Sequence, residues 1–183
     1  MFCQNCRVLL ISDKISLRNR PVAGILSIID ALDREILLLL QDDASLSVRE
    51  IGEQVGLTPT PCWRRIQNLE SAGIITGRVA LLDPAKINLN VTALVQIRTN
   101  DHSATWLKQF RAALVELPEI IEAHRTSGET DYMLKVMVPS IAAFDDFYKR
   151  LIELVDLYDV RSTFVMEEMK QTTAFPLNYI EPA

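Results

Sequence analysis

Apolar positions between Ile29 and Ser71 recur with helical spacing and are interrupted twice by turn residues. Ile29, Leu32, Ile36 and Leu39 share one side of a helix that Asp30 can cap, with Asp33 three residues on. That helix should end near Asp42-Asp43. Ser47 followed by Glu50 is a capping-box signature, and Val48, Ile51 and Val55 give a second helix one apolar face. Gly56 can take the left-handed conformation that stops it. Thr58-Pro59-Thr60-Pro61 opens a third helix, because a first helical turn tolerates proline, and this helix should run to about Ser71 and end at Gly73. Ile74–Thr76, Gly77-Arg78 and Val79–Leu82 then predict a short hairpin.

Asp83-Pro84 breaks the pattern, and the stretch to Asn90 reads as a linker. Beyond it strands and helices alternate. Val91–Arg98, Ile120–Thr126, Tyr132–Val138 and Val160–Thr172 are strand-like. Ala104–Leu117 is helical with Trp106, Phe110 and Leu114 on one side. Ser140 caps a helix carrying Ile141, Phe144, Phe147, Leu151 and Leu154. The order βαββαβ is that of a ferredoxin-like split βαβ unit. The expected fold class is α+β: a winged helix-turn-helix over residues 30–82, a linker at 83–90, a ferredoxin-like domain over 91–175 and a tail at 176–183. Residues 1–29 are expected to be a poorly ordered extension. Its Cys3-Gln-Asn-Cys6 stands alone, whereas a structural zinc site needs four ligands, so no metal is expected.

The chain has 183 residues, which allows one medium domain or two small ones. No apolar run approaches the roughly 20 residues needed to span a bilayer, and Val8–Ile11 is too short for the core of a signal peptide. Three cysteines fit a reducing compartment. These features predict a cytoplasmic protein with no membrane partner. The net charge of −5 argues at first against nucleic acid. Its distribution is +3 over residues 1–29, −3 over 30–82 and −5 over 83–183, so no segment is broadly basic. Any DNA binding must come from a local patch and from dimer geometry.

Such a patch is present. On the third helix Cys62, Ile66 and Leu69 repeat at i, i+4, i+7 and should pack inward. The opposite face presents Thr60, Pro61, Arg64, Arg65 and Asn68, with Thr58 at the helix start. Arginine suits guanine edges and phosphate, asparagine suits adenine, and threonine suits phosphate. The helix N-terminus can also direct backbone N–H groups at a phosphate. Arg49 on the second helix and Arg78 in the hairpin flank this face. A solvated face is the bland alternative for Arg64-Arg65. Trp63 is expected to pack against the first helix rather than stack on a base, and Cys62 to be a small buried apolar residue. His102 and His124 have no ligand-spaced partner and are expected in the core or on the surface.

Asp33-Arg34-Glu35-Ile36-Leu37, Leu57-Thr-Pro-Thr-Pro-Cys62 with Arg65 and Leu69-Glu70, and Gly73-Ile-Ile resemble the DNA-binding half of the Lrp/AsnC (leucine-responsive, "feast/famine") transcriptional regulators. The resemblance continues through Ser127-Gly-Glu-Thr-Asp-Tyr-Met-Leu-Lys135 and Val165-Met-Glu-Glu-Met-Lys-Gln171, and covers about residues 30–175. It implies a non-enzymatic regulator whose partners are double-stranded DNA, further copies of itself and a small-molecule effector. In that family the C-terminal domains pair through their sheets into dimers, which assemble into tetramers or octamers. The effector, commonly an amino acid, sits between dimers near the loop matching Ser127–Tyr132.

The residues of that loop suit a zwitterion. Gly128 lets the backbone come close to a carboxylate, Asp131 can accept from an ammonium, and Thr126 and Thr130 offer smaller polar contacts. A plain β-turn explains the same residues. Glu129-Thr130 stands where the family often has Asp or Asn followed by a bulky residue, which leaves the effector's identity open. No cofactor is expected apart from such an amino-acid effector. Two other readings compete. Sirohaem decarboxylases resemble this family in both domains but need histidine and arginine groups around a large pocket, and only two histidines are present. A DNA-wrapping architectural role without ligand is the other.

Overall fold

The computed structural model describes residues 29–180, which form two units, one spanning residues 81–169 and the other 29–80 together with 170–180. The Cys3/Cys6 pair and residues 1–28 of the expected extension lie outside the described residues, whereas its last residue, Ile29, is buried in the helical core.

The helical unit holds α1 (Ala31–Asp42), α2 (Val48–Val55) and α3 (Pro59–Ser71). Local chemistry sets its boundaries. The Asp30 side chain accepts from Asp33 N–H and the Asp33 side chain accepts from Asp30 N–H, a reciprocal box at the start of α1. Ser47 and Glu50 do the same for α2, and Gly56 ends it at φ 71°. Ile29, Ile36, Leu37, Ile51, Val55, Cys62, Ile66 and Leu69 form the core. Gly52 makes the α2–α3 turn tight. A Cβ there would lie 2.7 Å from Leu57 O and 3.6 Å from the Cys62 Cβ, so this crossing requires a glycine opposite a small residue. Cys62 is fully buried, and burial raises its thiol above the ordinary range, as expected of an inert packing residue.

Two sequence expectations fail in this unit. Residues 76–82 form no strand, so the expected hairpin is not made. An isolated two-stranded ribbon is marginal, and here Val79, Leu81 and Leu82 are all exposed, with no apolar surface to hold them. Trp63 does not pack on α1 but is 53% exposed. One contribution was not anticipated. Leu177 and Ile180 pack against the helical core, Arg34 Nη2 donates to Ile180 O at 2.6 Å, and Gln41 exchanges two hydrogen bonds with the Phe175 backbone.

Asp83 caps a single 3₁₀ turn, Pro84–Ile87, ahead of the second unit. There β1 (Val91–Arg98), α4 (Ala104–Glu116), β2 (Ile120–Arg125), β3 (Tyr132–Val138), α5 (Ile141–Leu154) and β4 (Asp159–Phe164) follow in order. All pairings are antiparallel and the sheet order is β2-β3-β1-β4, the ferredoxin-like arrangement. In β3 every second residue, from Tyr132 to Val138, is buried, which is period-2 alternation over one packed face. Trp106, Phe110 and Tyr132 form an aromatic cluster with ring centroids 4.7–5.6 Å apart, and the indole N–H of Trp106 donates to Asp156 O. β4 stops at Phe164 rather than Thr172. It is an edge strand, and its last ladder partner is Ala93, near the start of β1.

Candidate nucleic-acid interface

The outward side of α3 is a stripe. Thr60, Trp63, Arg64, Gln67, Asn68 and Ser71 are exposed, while Cys62, Ile66 and Leu69 are buried opposite them. The spacing i, i+3, i+4, i+7, i+8, i+11 follows one helical face. Thr60, Pro61, Arg64 and Asn68 therefore stand where the sequence placed them. Gln67 and Trp63 join them and were missed. Their phase signalled it, since each lies one residue past a buried position, Ile66 and Cys62.

Arg65 departs from the expected outward face. It does not project outward beside Arg64. Its Nη1 lies 2.7 Å from an Asp30 oxygen and 2.8 Å from an Asp33 oxygen, and its side chain is only 29% exposed. Asp33 is the more enclosed carboxylate of the two. The Asp33 N–H and then the Arg65 guanidinium hold the Asp30 carboxyl below its ordinary range, and hydrogen bonds to Asp33 and Asp30 push the Arg65 guanidinium higher still. Arg65 thus fastens α3 to the start of α1 and so fixes the direction of the exposed stripe.

The flanking arginines are also engaged. Arg78 Nη2 lies 3.0 Å from Glu70 Oε1, and Arg49 Nε lies 2.9 Å from Glu53 Oε1. Gln67 donates to the other Glu70 oxygen at 2.8 Å. Among the described residues of the stripe, Arg64 is the one cation, and no ion pair holds it. The helix start offers less to a phosphate than a generic N-terminus does. Pro59 and Pro61 lack N–H groups, and Cys62 N–H already bonds to Thr58 O, so Thr60 N–H is the donor left in the first turn. The Thr58 side chain makes no cap hydrogen bond.

In the second unit the loop after β2 is held by its own polar groups. Thr126 Oγ1 donates to Thr130 O, Thr126 N–H to Asp131 O, and Asp131 N–H to Ile97 O. The Asp131 carboxylate accepts from Thr99 N–H at 2.9 Å. Gly128, at φ 111°, turns the chain where a side chain would be strained. The loop brings Thr126, Gly128, Thr130 and Asp131 together with one Asp131 oxygen committed to the fold. His102 and His124 are both exposed, and His124 faces Glu122. No helix among the described residues is long and apolar enough to cross a membrane.

Comparison with known proteins follows the same division. Residues 29–76 match the family model of a winged helix-turn-helix DNA-binding domain, and residues 92–175 match that of the Lrp/AsnC ligand binding domain. The chain is 47% identical over 150 residues to the DNA-binding transcriptional activator DecR of Escherichia coli K12, covering 81% of this chain and 99% of that one. An AsnC family transcriptional regulator from Agrobacterium tumefaciens has the same fold, with a TM-score of 0.80 and 53% identity over 83% of this chain and 99% of that chain. A transcriptional regulator from Neisseria meningitidis, solved as an L-Met complex, matches with a TM-score of 0.79 and 35% identity over the same shares.

Proposed function

This chain belongs to the Lrp/AsnC family of DNA-binding transcriptional regulators, and we propose that it reads duplex DNA with the exposed stripe of α3 and answers to an amino acid or related small metabolite at the Thr126–Asp131 loop. The observation that carries the DNA reading is the stripe itself. Among the described residues the side chains of Thr60, Arg64 and Asn68 are held by no carboxylate, and Arg65 locks the rod that bears them. Arg64 suits a guanine edge or a phosphate, Asn68 an adenine edge, and Thr58 and Thr60 the backbone on either side. Arg49 and Arg78 contribute by exchanging their glutamates for phosphates as the duplex approaches.

One such unit carries a weak field, so recognition rests on pairing. A homodimer presents two α3 rods to half-sites about one helical turn, roughly 34 Å, apart. Titrating a labelled duplex with Arg64→Ala against the parent at low salt tests the assignment. The variant should bind more weakly, and unchanged binding would remove α3 from the interface.

The effector reading is supported by the ligand-binding-domain match and by the L-Met complex of the Neisseria meningitidis relative. Gly128 leaves room beside the backbone, and Asp131 retains one oxygen for an ammonium. Calorimetry against the twenty amino acids, with Asp131→Asn as the control, tests it. Heat for none of them favours a purely architectural role.

A further inference from the structure

We propose that Trp63 is a specificity-determining contact of the DNA interface, its indole packing against thymine methyl groups in the major groove; this rests on the reading of α3 as the DNA-facing helix. The placement is unusual for a tryptophan. The inner side of α3 is filled by Cys62, Ile66 and Leu69, and Trp63 is turned away from them at 53% exposure. Among the described residues no aromatic ring stacks on it and its N–H has no hydrogen-bond partner, whereas Trp106 has both. A large ring left in water on the rim of a small core gains nothing for the fold and is available to a partner.

The surroundings decide which partner. Thr60 precedes Trp63 by one turn, Gln67 follows it by one turn, and Arg64 and Asn68 lie beside it. Every carboxylate close to this face is already engaged: Glu70 by Gln67 and Arg78, and Asp30 and Asp33 by Arg65. What remains is one cation, the Asn68 amide, the carbonyl end of the Gln67 amide, hydroxyls and an apolar ring. Amides and arginine read base edges, and the apolar feature that the major groove offers is the thymine C5-methyl group. A second copy of this face is a poor match, because its Glu70, Asp30 and Asp33 are already paired and leave Arg64 no free carboxylate to meet.

The chain carries its own reporter. It has two tryptophans, and Trp106 is 3% exposed with its N–H bonded, so emission accessible to acrylamide comes from Trp63. The full chain would be used to enrich binders from a random-sequence duplex pool. Binding to an enriched duplex should then protect the emission from acrylamide. Replacing thymine by uracil in that duplex removes only the methyl groups, and should weaken the parent by about fourfold per contacted methyl. The same replacement should leave Trp63→Ala unaffected, while Trp63→Phe keeps part of the discrimination. Unaltered thermal unfolding of both variants guards against misfolding. Tight binding with the indole still fully quenchable, or equal loss on uracil replacement in parent and Trp63→Ala, overturns the inference and leaves DNA binding standing. Failure to enrich any duplex overturns the DNA reading and this inference with it.

Discussion

The two units are stabilised by different means. The α+β unit is held by apolar volume: both faces of its logic, the buried side of β1 and β3 and the inner sides of α4 and α5, meet in a core that includes Phe110, Phe147, Leu134 and Val136 at 1% exposure or less. The helical unit has a smaller core and adds devices that depend on position and charge, namely two capping boxes, a glycine at a close crossing and an arginine spanning two aspartates. A small unit that must show one helix face to a partner has little apolar area with which to fix that helix, so polar groups that also keep its surface free of stray carboxylates take over part of the task.

The comparison predicts a graded set of responses. Phe147→Ala should cost about 3–5 kcal/mol in the α+β unit, read as loss of near-ultraviolet signal from the Trp106 cluster on denaturation. Gly52→Ala should cost about 1–3 kcal/mol in the helical unit, because the new methyl meets the Leu57 carbonyl; a thermal midpoint equal to the parent's would show that α2 can shift without loss.

Arg65→Ala strips the partner from the enclosed Asp33 carboxylate. Its cost should be of order 1–2 kcal/mol, discounted because Asp30 and Arg65 are partly solvated. The same variant should weaken DNA binding without changing the salt slope, which separates fixing the rod from touching phosphate. Arg64→Ala should do the reverse: unfolding unaltered within about 0.5 kcal/mol, and the salt slope shallower by about one contact per protomer.

A pH titration sharpens the contrast further. The folded-state value of Asp30 is depressed, so its stabilisation is present above the unfolded value of about 3.9 and is lost as pH falls through the lower folded value. Acid should loosen the helical unit in that window, and Asp30→Asn should flatten the response. Among the packed side chains a small loss is expected from Leu177→Ala, about 1 kcal/mol in the helical unit, since the side chain is half-buried.

Much of this molecule was legible along the chain because its determinants are local. Asp30 with Asp33 and Ser47 with Glu50 are three residues apart, Gly56 sits at the helix end it terminates, and the alternation in Tyr132–Val138 spans a single strand. Short spacing plus the helical and strand periods suffices for caps, phases and element order. The direction of Arg65 was not legible in this way, because its partners lie 32 and 35 residues away and a neighbouring arginine with the same chemistry, Arg64, faces solvent. The same holds for the return of Leu177 and Ile180 to a helix some 140 positions earlier, for Thr99 occupying Asp131, and for the hairpin that never pairs. Each is settled by what happens to lie opposite a side chain once the backbone has closed, and one-dimensional spacing carries no record of that.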